Sequence, residues 1–280
     1  MSVELPEALI LATQMSRDLR GKSVGSCRLA DYERLQRFGF INRNIVDFDQ
    51  LIGGTVDSVA PRGTVIRADL DNGMNLLLAP EYGGRVRLHM GEDTLPKEFH
   101  LRLGFTDGTV LSVRLTGMGL IYAVSDEGLR EVYVYRRDFL GGVSPIDEKA
   151  FTFDYFSEAL GERDKILKTL LVGKEAVIIG LGNSAFQEIA YRAKIHPKRK
   201  TSELGEREKH ALYEAVREVI SNRVRLGGKE EFMDLHGRAG GYTPFIGPHM
   251  KGQPCPEWGT IIEKMVLAGG PTYFCPSCQK

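Results

Sequence analysis

Two groups of residues in this chain are spaced for chemistry. The first is Gly180-Leu181-Gly182-Asn183, a pair of glycines that opens onto a helical pattern running to Lys194. Glycines there let backbone approach a phosphate where a helix's first amides and dipole favour an anion, and Asn183 adds a side-chain donor and a natural cap. Just downstream, Lys194, His196, Lys198, Arg199 and Lys200 crowd into one turn, a cation density suited to phosphate contact. The second group is sulfur. Three of the four cysteines, Cys255, Cys275 and Cys278, fall within the last 26 residues. That clustering reads as a metal site rather than a disulfide framework, and it leaves Cys27 as an ordinary buried thiol.

The elements that must position these groups follow from pattern. Pro6 in a first turn, Leu9, Ile10, Met15 and Leu19 on a recurring face and Gly21 as a stop predict a helix from about Pro6 to Arg20. From Gly54 to about Tyr135, short alternating runs such as Thr64 to Leu70 are punctuated by Asp71-Asn72-Gly73, Gly83-Gly84 and Asp107-Gly108, the signature of antiparallel hairpins in a β-sandwich. Near Ser144-Pro145 the texture turns helical, as in Tyr155 to Leu160 and in a helix from Ser202 to Val224 capped at Ser202-Glu203. A glycine-rich stretch follows to Gly252, and the end from Cys255 to Lys280 reads as a hairpin. The fold class is α+β, with expected domains at 1–145, 146–245 and 246–280.

Composition narrows the function classes. With 280 residues, 42% of them hydrophobic, and a formal net charge of zero, nucleic-acid affinity must come from local clusters of Lys and Arg, not from a global field. The opening Met1 to Glu7 has no basic leader, and Ala8 to Ala12 is too short an apolar run to cross a bilayer. A cytoplasmic, nucleoid-associated protein without membrane contact is expected.

The segment Ile179 to Pro197 resembles the helix-two-turn-helix element of the formamidopyrimidine-DNA glycosylase and endonuclease VIII family. Glu4-Leu5-Pro6-Glu7 matches that family's amino terminus, Gly252 to Lys280 is similar to its zinc finger, and Asp234 to Tyr242 resembles an endonuclease VIII-like prokaryotic subgroup. The resemblance spans nearly the whole chain. It implies a monomer that binds damaged double-stranded DNA between two lobes, everts a base and acts in base excision repair as a glycosylase with AP lyase activity. Glu4 and Glu7 then stand beside the deoxyribose as acid-base groups. A first-turn carboxylate at Glu7 has a plainer use too, since it favours the helix dipole. Asn183, Gly182, Lys194, His196 and Lys198 become phosphate contacts.

Several family residues are replaced. Val3 faces the slot of the nucleophilic proline, so removal of Met1 would expose the Ser2 amine about 3 Å out of register. An N-terminal amine with a pKa of about 8 is a suitable nucleophile, and Ser2 is the candidate. Thr64 stands for the hairpin lysine, with Arg62 beside it as a phosphate contact, and Gly270 for the finger arginine. Tyr82 and Met118 occupy wedge positions that would fill the hole left by a flipped base, or else pack in the sandwich. In the finger, Trp258 replaces one of four cysteines. Either His249 completes a zinc site with Cys255, Cys275 and Cys278, or the finger is zincless and Trp258 fills the metal's place with buried apolar area. Two functions follow: a glycosylase working through Glu4 and water or through the Ser2 amine, or a silent paralogue that only binds abasic, nicked or distorted DNA, or structured RNA.

Overall fold

Glu4 and Pro6 start a helix because a carboxylate cap and a fixed φ suit the first turn, and α1 runs Leu5–Leu19. The computed structural model describes residues 3–81, 83–161 and 163–280. Its chain divides into two compact units, Met1–Gly141 with Leu226–Gly241, and Gly142–Arg225 with Tyr242–Lys280. The segment 226–241, grouped by sequence with 146–245, therefore packs with the first unit.

In the first unit α1 buries Ala8, Leu11, Ala12, Met15 and Leu19, while Leu9 and Ile10 are only partly covered. Then come β1 (Val24–Leu29), α2 (Glu33–Arg37), β2 (Val56–Arg62), β3 (Val65–Leu70), β4 (Met74–Ala79), β5 (Arg85–His89), β6 (Leu101–Phe105), β7 (Val110–Arg114) and β8 (Leu120–Ser125). They form two four-stranded antiparallel sheets, ordered β1-β6-β7-β5 and β2-β3-β4-β8. Side chains from both sheets and α1 share one core that includes Met15, Phe48, Leu76, Val86 and Leu111. Strand β4 is buried along its whole length, as a strand covered on both faces must be. A short helix, α3 (Tyr133–Tyr135), continues into a π-helical turn at Arg136–Leu140. The expected sandwich is present, with β1 as an added strand that its glycine and serine concealed.

The second unit holds α4 (Phe153–Gly161), α5 (Leu167–Leu171), α6 (Asn183–Arg192), α7 (Glu206–Arg225) and the hairpin of β9 (Glu263–Leu267) and β10 (Gly270–Phe274). Helix α7 starts later than its periodicity suggests. Thr201–Glu203 forms a separate 3-10 turn, and the Glu208 carboxylate accepts the Gly205 N–H at 3.0 Å to cap α7, whereas Ser202 donates to Asp164 instead. Packing of α6 on α7 surrounds a buried ion pair in which Arg223 Nη2 donates to Glu188 Oε2 at 3.2 Å. No helix among the described residues is long and apolar enough to cross a membrane.

Candidate nucleic-acid interface

Helix α6 begins as its glycines require. Gly180 has φ +84, a left-handed value that disfavours any side chain, and Gly182 is the N-cap, whose carbonyl accepts the Phe186 N–H at 3.0 Å. Asn183, expected as a free donor, is committed otherwise: its Nδ2 donates to the Pro271 carbonyl at the hairpin tip. A Cβ at Gly270 would sit 3.5 Å from that same amide nitrogen. The position that resembles a clamp arginine thus lies against Asn183, and bare backbone takes its place. Beneath the tip, the buried Lys168 ammonium donates to Leu267 O at 2.7 Å and Thr272 Oγ1 at 3.0 Å, and burial holds its pKa below the usual lysine value.

The basic turn is largely neutralised from within. Lys194 pairs with Glu257 and lies over the Tyr191 ring, 4.7 Å from its centroid. Arg199 binds Glu203 and Glu208, each at 3.2 Å, and Lys200 pairs with Asp164 at 3.3 Å. His196 stands edge-on to Phe274 at 4.9 Å, and its Nδ1 accepts the Lys198 N–H. Burial, then the charges of Lys198 and Arg199, hold its pKa down. Lys198 is exposed and forms no ion pair among the described residues, which makes it the cation best placed for an outside anion.

At the head of α1, Glu4 and Glu7 form a reciprocal capping box in which Glu7 Oε2 accepts the Glu4 N–H at 3.0 Å. Both are buried, at 1% and 0% exposure. Glu7 also accepts the Lys229 N–H at 3.3 Å, and the Lys229 ammonium lies 3.9 Å away. It therefore pins the segment 226–241 to α1, a use beyond the helix dipole. The Val3 backbone N–H donates to Glu81 O at 2.7 Å, and the Glu81 carboxylate accepts from Thr64 Oγ1 at 3.2 Å. Burial raises the Glu81 pKa although the Arg137 charge opposes it. Arg62, read as a phosphate contact, donates to the Asp138 carbonyl at 2.7 Å. Glu81, Arg137, Asp138 and Lys229 had no sequence signal, because tertiary packing alone brings them to this corner. Met118 is 51% exposed and lines a cavity of about 840 Å³ with Phe38, Phe40 and Arg114, so the packed alternative does not hold. Ser2 and Tyr82 lie outside the described residues.

In the finger, the Cys255, Cys275 and Cys278 sulfurs lie within 4.8 Å of one another, all buried, and Cys255 Sγ is 3.3 Å from Cys278 Sγ. The Cys278 N–H points to Cys275 Sγ at 3.4 Å, and burial against neighbouring sulfur pushes the Cys278 thiol up. Three converging thiols with amide support suit a thiophilic metal such as zinc. Both other expectations for this site are corrected. Trp258 is 66% exposed and fills nothing. His249 is exposed on the turn Pro248–Met250, its ring facing Gly247, and it is not part of the thiol group. A phenol is there instead: Tyr191 Oη lies 3.2 Å from Cys255 Sγ.

Residues 142–233 match the formamidopyrimidine-DNA glycosylase H2TH domain, and residues 252–280 match the zinc finger found in FPG and IleRS. The formamidopyrimidine-DNA glycosylase of Listeria innocua serovar 6a is 30% identical over 234 residues, covering 82% of this chain and 84% of that protein. The chain belongs to the formamidopyrimidine-DNA glycosylase family. A second glycosylase of that name, from Lactococcus lactis subsp. cremoris, is 26% identical over 279 residues and 99% of each chain. Among solved structures, the MutM (Fpg) protein of Thermus thermophilus superposes with a TM-score of 0.83 at 26% identity, covering 99% of this chain and 98% of that one. The Lactococcus lactis Fpg in complex with abasic-site DNA gives 0.84 at 24% identity and shares the fold. Membership in the glycosylase family accounts for the two sheets, the helix-two-turn-helix and the finger together.

Proposed function

We propose that this chain binds damaged duplex DNA and, in base excision repair, removes an oxidised or ring-opened base by using water rather than a covalent amine. Family membership supports the substrate class, since the relatives are formamidopyrimidine-DNA glycosylases and the Lactococcus lactis enzyme has been captured on abasic-site DNA. One observation carries the choice of water. Val3, in the slot of the family's proline, offers a peptide N–H that is already bonded to Glu81 O at 2.7 Å, and a peptide nitrogen has no basic lone pair with which to attack a sugar carbon.

Glu4, one residue on, then acts as the carboxylate that orients water and moves a proton. The N-terminus of α6, with Gly182 and Asn183, and the exposed Lys198 receive phosphates of the duplex, while Met118 serves as a wedge beside the everted base. Cys255, Cys275 and Cys278 hold a zinc whose bonds fix the hairpin and take no part in base removal.

Glu4→Gln tests the reading. Base release should fall by about 10²- to 10⁴-fold with binding to abasic duplex retained, and unchanged release would remove Glu4 from the reaction.

A further inference from the structure

The finger has three thiols where a closed structural zinc site needs four donors. Among the described residues no fourth sulfur, imidazole or carboxylate oxygen joins them. What does reach the cluster is a tyrosine on the last turn of α6, which the cysteine spacing could not reveal.

We propose that Tyr191 is the fourth donor, its phenolate oxygen completing a three-thiolate, one-oxygen site in place of the cysteine that Trp258 replaces. The side chain is 2% exposed and belongs to the same buried cluster as the three cysteines. Its oxygen lies 3.2 Å from Cys255 Sγ, which in turn lies 3.3 Å from Cys278 Sγ. Tetrahedral bonds of about 2.3 Å to sulfur and about 2.0 Å to oxygen give ligand edges of about 3.5 to 3.8 Å, so the Tyr191–Cys255 and Cys255–Cys278 pairs need to part by only a few tenths of an ångström, and the three sulfurs already lie within 4.8 Å of one another. Zinc accepts oxygen as well as sulfur. The Lys194 ammonium lies over the Tyr191 ring, 4.7 Å from its centroid, although Glu257 already pairs with it. The bond would also tie α6, the helix that opens at Asn183, directly to the hairpin whose tip Asn183 holds.

This inference rests on the reading that the finger carries zinc, and the test separates the two. Zinc is added to metal-free protein at neutral pH while phenolate absorbance is followed in the near ultraviolet and bound metal is measured by elemental analysis. An unperturbed tyrosine ionises only near pH 10, so a phenolate band at neutral pH reports coordination. The wild type should bind about one zinc per chain and develop the band. Tyr191→Phe should lack the band and bind zinc more than about 100-fold more weakly, beyond what loss of a group that merely hydrogen-bonds a ligand produces. In the Tyr191→Phe/Trp258→Cys double variant, a fourth thiol should restore tight zinc without the band, which also guards against simple misfolding of the single variant. Zinc bound by the wild type with no phenolate signal overturns the role of Tyr191 and leaves the metal reading standing. Absence of bound zinc overturns both.

Discussion

Arg223 on α7 and Glu188 on α6 meet at 3.2 Å with both side chains fully buried. Glu188 also accepts the Tyr242 hydroxyl and, at 3.4 Å, the Phe245 N–H. One carboxylate therefore holds α6, α7 and the chain that enters the finger. A buried ion pair adds little over an apolar substitute, but losing Arg223 leaves Glu188 with only the part-exposed Arg192, at 3.5 Å, as its counter-charge. Arg223→Met should lower unfolding free energy by about 3 to 5 kcal/mol, measured by denaturant titration, and Arg223→Met/Glu188→Gln should recover part of that loss. A single variant as stable as the wild type would show that the pair is not needed.

The internal pairing of the basic turn separates lysines that look alike in sequence. Lys198 should contact a phosphate, so Lys198→Ala should weaken duplex binding for any sequence and reduce the slope of log affinity against log salt by about 1. Lys194 is committed to Glu257, and Lys194→Ala should leave the slope unchanged. Equal effects from the two substitutions would mean that the ion pair opens on DNA.

Asn183→Ala removes the bond to the Pro271 carbonyl and should weaken binding uniformly across duplex sequences, because the hairpin tip loses its tether to α6. Binding isotherms on several unrelated duplexes check this. Unchanged affinity would take the head of α6 out of the interface.

His89 on β5 is 7% exposed, with Nε2 2.8 Å from Ser112 Oγ and Nδ1 3.2 Å from Thr94 Oγ1. Burial, then the charges of Arg87 and Arg102, lower its pKa, and burial does the same at His100 and His196. With folded values below the unfolded value of about 6.5, these groups contribute stability that is present above that pH and is lost as pH falls through the folded values. Melting temperature should drop on acidification below about pH 6.5, and His89→Gln should flatten part of the fall. A flat wild-type profile there would contradict the buried-neutral assignment.

Sequence patterns carried the fold far because each local cue had a local cause. Pro6 and the opening glutamates placed α1, Asp71-Asn72-Gly73 and Asp107-Gly108 placed the β3–β4 and β6–β7 hairpins, and Gly180-Leu181-Gly182-Asn183 placed α6, whereas Gly83-Gly84, read as a hairpin turn, carries the chain from β4 to β5 in the other sheet. What escaped depends on contacts between distant residues. No periodicity tells that Glu7 grips Lys229, that Asn183 bonds the hairpin instead of standing free, or that Arg199 is already paired. Spacing identified three zinc-type cysteines but left two readings of the fourth position, His249 as a ligand or Trp258 filling the metal's place, and neither residue sits at the thiols. The tryptophan faces outward, and the group at the thiols is a tyrosine 64 residues before Cys255 in sequence.

The most direct test of the account is strand scission on labelled duplexes carrying 8-oxoguanine, a ring-opened purine, an oxidised pyrimidine or an abasic site, with and without hot alkali. Base removal by water predicts cleavage of the base-bearing duplexes only after alkali, and its loss in Glu4→Gln. Cleavage without alkali would contradict the water mechanism and point to the Ser2 amine. Intact strands in every base lesion lane, together with tight binding to the abasic duplex, would contradict base removal itself.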